Sequence, residues 1–207
     1  VSYGAVGASR APDLMRFPPR GYRPVERIVR IGHGVERWEH AWVRILSWGV
    51  QRGAGFTVTP YPAPAEASAA SYRPVNFDDA GDALSPAALE GDEALYAPSG
   101  EPLLHAGDTG MLKSRWWPRA FPVRVVYTVD EPARRGAAFG TLPGHALAGE
   151  ELLQVERRSD DSVWFTVRIF SRPSGGIWRL ARPVLWLAQR VFVRRYLRDL
   201  AGPIPVG

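Results

Sequence analysis

His145, Glu150 and Glu151 place one imidazole and two adjacent carboxylates within a short segment that begins at Gly140 and is rich in glycine. An imidazole beside a carboxylate can polarise a carbonyl or move a proton. In a strand, neighbouring side chains point to opposite faces, so at most one of Glu150 and Glu151 can share a cavity with His145. The plainer reading is that Gly144 and His145 shape a turn, while one glutamate caps it or pairs with an arginine. Arg172, between Ser171 and Pro173, offers a bidentate donor for an anionic head group at a cavity mouth, or else a salt bridge to Glu150 or Glu151. Tyr127 and Phe192 are further candidates to touch a ligand, one from a strand and one from a helix.

Other chemistries find little support. The histidines His33, His40, His105 and His145 show no metal-ligand spacing, and the chain has no cysteine. Gly32 and Gly34 are followed by Arg37 where a dinucleotide fingerprint needs a third glycine, and there is no Gly-x-Ser-x-Gly elbow. Neither a metal nor a cofactor is expected, and whether any reaction is catalysed stays open.

The elements that must position these residues follow from periodicity. Arg27 to Ile31 reads as a short first strand after an irregular arm rich in Gly, Ala and Pro. Val35, Trp38, Ala41, Trp42, Ile45 and Leu46 fall at helical spacing, in a helix expected to end near Gly53. Phe56 to Tyr61 alternates as a strand. Residues 62–102 are acidic and rich in Pro and Ala; they are expected to form a long, partly mobile surface excursion, and Ala63 to Pro102 to be the part most sensitive to protease. An antiparallel meander follows. Val123, Val125, Tyr127 and Val129 share one strand face; Ala137 to Leu142, Glu150 to Arg157 and Val163 to Phe170 continue it. A second helix is split by Pro183, and its long part runs to about Leu200, with Leu185, Gln189, Phe192, Tyr196 and Leu200 on one face.

With 207 residues, the chain is expected to form one domain over 1–207. The predicted class is α+β, a curved antiparallel sheet wrapped around a long C-terminal helix with a cavity between them. No apolar run approaches the roughly 18 to 20 residues needed to span a bilayer, and Val1 to Phe17 lacks the regions of a signal peptide, so the default location is cytoplasmic. The net charge of +5 is uneven: no Lys or Arg lies between Arg73 and Lys113, and arginines crowd the last helix. Arg190, Arg194 and Arg198 at i, i+4 spacing describe a solvated helix face better than a nucleic-acid platform, since no aromatic residues interleave with them.

Several segments resemble the uncharacterised DUF1990 family, also called UPF0548. They are Arg27 to Gly34 with the Trp-rich helix, the run Gly136 to His145, Gly149-Glu150-Glu151, and Phe170 to Pro173 followed by Pro183 and Gln189. The resemblance spans nearly the whole chain apart from the acidic excursion, and it implies no established activity. By analogy it is compatible with the helix-grip folds of the START and Bet v 1 type, many of which hold a lipid, sterol or polyketide. The leading expectation is a module that encloses a small apolar or amphipathic ligand. An enzyme of cyclase, hydrolase or isomerase type using His145 and a carboxylate comes second, and association of the basic helix with a polyanion or nucleic acid third.

Overall fold

The computed structural model describes residues 1–63, 76–77, 83–84, 96–97, 100, 102–115, 117 and 119–204. Most of the acidic excursion therefore lies outside the described residues, and with it the expected protease-sensitive stretch.

Four consecutive strands joined as hairpins build the centre of a seven-stranded sheet. The strands are β1 (Arg23–His33), β2 (Phe56–Tyr61), β5 (Thr109–Ser114), β6 (Phe121–Glu131), β7 (Arg134–Thr141), β8 (Leu147–Arg157) and β9 (Ser162–Pro173), all antiparallel in the order β1-β9-β8-β7-β6-β5-β2. A separate two-residue pair, β3 (Asn76–Phe77) and β4 (Ala83–Leu84), lies within the excursion. The first strand is longer than its apolar run suggested, because Arg23 to Glu26 pair with β9 although they carry little alternation.

In β9, Val163, Phe165, Val167 and Ile169 are buried in the main core, as strand alternation requires. Helix α1 (Val35–Leu46) buries Trp38, Ala41, Trp42, Ile45 and Leu46 against the same face. The expected single helix to Gly53 is instead two, since the chain breaks at Trp48, whose φ of 61° is left-handed, before α2 (Gly49–Gly53). That break turns the Trp48 ring inward onto Phe139, with centroids 5.1 Å apart.

The C-terminal segment forms α3 (Ile177–Leu180) and α4 (Arg182–Ala201), with Pro183 in the first turn of α4 where its missing N–H costs nothing. Burial is uneven along α4. Val193, Tyr196 and Leu200 are buried, whereas the first half packs loosely. Its far end is held by Asp199, which accepts both Nε and Nη2 of Arg44 at 2.9 Å, and by Arg37, whose guanidinium donates to the carbonyls of Leu200 and Gly202 at 2.7 and 2.8 Å.

The opposite face of the sheet is covered by the N-terminal arm, which contains a 3-10 turn at Ala8–Arg10. Leu14 and Tyr3 bury against Phe170, and the rings of Tyr3 and Tyr22 meet Phe170 edge-on at 5.6 and 5.5 Å. The arm passes so close to β7 that a Cβ on Gly140 would sit 2.5 Å from the Tyr3 hydroxyl. Gly149 is equally constrained, because a Cβ there would lie 2.0 Å from the Phe170 carbonyl.

Candidate functional site

A cavity of about 150 Å³ lies between the inner face of the sheet and α4. Its walls are mostly apolar: Phe56, Leu112, Phe121, Val123, Phe139 and Ile169 come from strands, and Leu185, Ala188 and Phe192 from α4. The Phe192 ring stacks on Phe56 at 4.4 Å, so this candidate does lie in the wall.

Several polar side chains punctuate that lining. Glu151 shares the inward face of β8 with Leu153 and Val155, and the Tyr196 hydroxyl of α4 hydrogen-bonds its carboxylate. Burial raises the Glu151 carboxyl to about 7, against a weaker lowering by the Tyr196 bond. Gln51, at the middle of α2, is buried and its Oε1 has no hydrogen-bond partner among the described residues. Gln189 donates through Nε2 to the Ser171 hydroxyl at 3.1 Å. Gln51 had no signature in the sequence: a glutamine in a five-residue helix belongs to no motif.

His145 lies at the edge of this cavity. The Leu147 amide donates to its Nδ1 at 2.9 Å, which fixes the ring as a turn brace, and the ring packs on Phe121 with centroids 5.2 Å apart. Burial pushes its pKa down to about 4, so the imidazole stays neutral near pH 7.

These two groups set opposite pH slopes. The raised Glu151 means that the unfolded state releases its proton first, so this contribution is full below about pH 4.5 and is lost as pH rises to about 7. The lowered His145 means that the unfolded state binds its proton first, so that contribution is present above about 6.5 and is lost as pH falls to about 4. Glu151→Gln should therefore leave the acid-side loss and remove the decline toward neutrality. Denaturant midpoints measured from pH 4 to 8 check this; an unchanged neutral-side slope would refute it.

The paired glutamate serves the other face. Glu150 is buried, and its carboxylate accepts the Tyr3 hydroxyl at 2.5 Å, the Gly7 amide at 2.8 Å, the Ser9 amide at 3.0 Å and the Ser9 hydroxyl. It is the anchor of the N-terminal arm rather than a partner of His145. Tyr127 also leaves the cavity, contrary to the strand alternation read from the sequence. The register of β6 shifts between Val125 and Tyr127, and such a bulge puts the next side chain on the opposite face. There its hydroxyl meets Ser9 Oγ at 2.7 Å and the Arg10 guanidinium lies 4.3 Å from its ring centroid.

Arg172 pairs with neither glutamate. Its guanidinium lies over Tyr22 at 4.6 Å and lines a wider outer cleft of about 1150 Å³. Arg23, Arg119, Arg179 and Arg182 line the same cleft, with no carboxylate among the described residues of its walls. His145 and Ser171 line both the cleft and the inner cavity, so the two spaces adjoin. Among the described residues, no group of three or more His, Asp and Glu converges as a metal site would require.

A seven-stranded antiparallel sheet in this order, curved against a long C-terminal helix over a lined cavity, defines a helix-grip protein of the α+β class. The chain belongs to the DUF1990 family, whose model, described as a domain of unknown function, matches residues 2–199. A UPF0548 protein of Deinococcus radiodurans is 47% identical over 77 residues, 37% of this chain and 39% of that protein. A UPF0548 protein of Arabidopsis thaliana is 40% identical over 80 residues, 35% of this chain and 38% of that one. The chain thus matches about two fifths of the length of each curated relative. Among solved structures, the hypothetical protein jhp0584 of Helicobacter pylori superposes with a TM-score of 0.53 at 9% identity, covering 91% of this chain and 90% of that one, which supports the fold alone. Ara h 8.0201 aligns at a TM-score of 0.41 and 10% identity over 88% of this chain and 100% of that one, too distant to add to it.

Proposed function

We propose that this protein is a binding module whose ligand is a small apolar ring or short amphipathic molecule carrying a hydrogen-bond donor. The observation that carries the reading is Gln51, whose side chain lines a mostly apolar cavity and whose buried Oε1 has no hydrogen-bond partner among the described residues. Leaving such a group unpaired costs about 1 to 3 kcal/mol, which a donor on a ligand would recover. The size supports a small occupant. An apolar cavity of about 150 Å³ holds a molecule the size of benzene, whereas drug-sized ligands occupy roughly 300 to 1,000 Å³. A sterol or polyketide exceeds the inner space; a longer amphipathic molecule would have to extend past His145 and Ser171 into the outer cleft.

Indole, an apolar ring with one N–H, is the probe. Titration followed by amide chemical shifts should show saturable changes at Gln51, Phe139 and Phe192, and indene, which lacks the N–H, should bind about fivefold or more weakly. Gln51→Leu should remove that difference between the probes. Absence of saturable shifts with either probe would overturn the reading.

The enzyme reading keeps one support, and it rests on Glu151 rather than His145. A carboxyl that titrates at about 7 inside an apolar cavity is poised to take and return a proton near neutral pH. Turnover of a bound carbonyl compound, lost in Glu151→Gln, would promote this reading over simple binding.

A further inference from the structure

The outward side of the α3–α4 corner breaks the usual rule for a helix surface. Ile177, Leu180, Val184 and Leu187 are 74%, 84%, 68% and 63% exposed, and they recur at the i, i+3, i+7 and i+10 spacing of one helical face. Single exposed aliphatics are ordinary, but four on one stripe mark a contact surface. The inward side of α4 is already occupied, by the cavity and the core. The stripe is therefore additional to the packing face of the helix.

Charge decides what covers it. From Ser162 to Arg198 the chain carries arginines at 168, 172, 179, 182, 190, 194, 195 and 198 and no Asp or Glu. Arg179 and Arg182 flank the stripe directly, and Arg190 is exposed at its C-terminal end. Arg23 and Arg182 lie over the Trp186 ring at 4.5 and 4.4 Å, which holds two of these charges at the same rim. Trp117, itself partly exposed, packs on Trp178 with centroids 5.5 Å apart. Aliphatics bordered by arginines and indoles match the layering of a bilayer interface, with acyl chains beneath anionic head groups.

We infer that the α3–α4 corner is a docking face for an anionic lipid bilayer, with the aliphatic stripe entering the interface and the arginines on head-group phosphates. A second copy of this chain fits less well. A twofold contact brings the same patch against itself, and would set the arginines of one copy against those of the other. A nucleic acid would engage the arginines but leave the aliphatics uncovered. No helix among the described residues is long and apolar enough to cross a membrane, so the contact is peripheral. It does not depend on what the inner cavity holds.

Co-sedimentation with vesicles tests it, using phosphatidylcholine alone and phosphatidylcholine with about a third phosphatidylglycerol. The full chain should partition at least tenfold better onto the anionic vesicles and lose that advantage in high salt. L180S/L187S alters only exposed side chains, so its melting temperature should match the unsubstituted protein while partitioning falls tenfold or more. R179Q/R182Q should lower partitioning by about fivefold per arginine at low salt and leave weak binding to neutral vesicles unchanged. Failure to sediment with anionic vesicles, or sedimentation unaffected by L180S/L187S, overturns the assignment. So does a concentration-dependent dimer, seen by light scattering, that L180S/L187S abolishes, since the stripe would then belong to a second copy.

Discussion

Glu150→Ala is expected to destabilise the protein by roughly 3 to 5 kcal/mol and to release the N-terminal arm, because it strands the Tyr3 hydroxyl and the Gly7 and Ser9 amides and leaves the Ser9 hydroxyl only Tyr127. The carboxylate collects the Tyr3 hydroxyl, two amides and the Ser9 hydroxyl from a segment more than a hundred residues away in sequence. Bonds to a charged group are worth about 1.5 to 3 kcal/mol each and are not additive, so the total is set by how far the arm can relax. Burial and the neighbouring Glu150 both hold the Tyr3 phenol far above its ordinary range, so it stays a donor at any pH the fold survives. Tyr3→Phe removes one of these bonds and should cost about half as much or less. Urea unfolding gives the energies, and limited proteolysis should show new cleavage before Tyr22 in Glu150→Ala. A variant within about 1 kcal/mol of the unsubstituted protein, with the arm still protected, would show that Glu150 is not the anchor.

Removing residues 183–207 is expected to abolish cooperative folding. Val193, Tyr196 and Leu200 leave the core, each worth about 1.5 to 3 kcal/mol, against the total of about 5 to 15 typical of folded proteins. The ion pair of Arg44 with Asp199 goes as well, and the Arg37 guanidinium loses both carbonyl acceptors. Circular dichroism on heating should show no sharp transition. A truncated chain that melts sharply near the temperature of the full protein would mean that α4 is an appendage. By contrast, truncation of the stripe residues alone should hardly change stability, since they contribute nothing to the core.

What could be read from sequence was whatever repeats locally. The spacing from Trp38 to Leu46 specified α1, the alternation from Val163 to Phe170 specified β9, and Pro183 marked the start of α4. Alternation also separated Glu150 from Glu151, but it could not say which one faced the helix, because that depends on the partner layer. Tyr127 went astray for a related reason: one inserted residue at a bulge inverts the pattern, and no residue type announces it. The cover over the outer face was hidden because Gly, Ala and Pro in residues 3–21 read as an irregular arm. Their order comes from Glu150 and Phe170, contacts that a local window cannot contain. The glycines and glutamates of the Gly136 to Glu151 segment, which carry the family likeness, thus serve two different faces: Gly140 and Glu150 the arm, Glu151 the cavity.

The strand order leaves β1 and β2 as the two open margins of the sheet among the described residues. An unpaired margin offers backbone donors and acceptors to any extended chain, and is the usual starting point for aggregation. Both margins are blunted here. Strand β1 carries Arg23, Pro24, Arg27 and Arg30, and β2 is six residues long with Pro60 near its end. Proline withholds an amide and arginines repel a second copy of the same strand, so the sheet resists extension by strand addition.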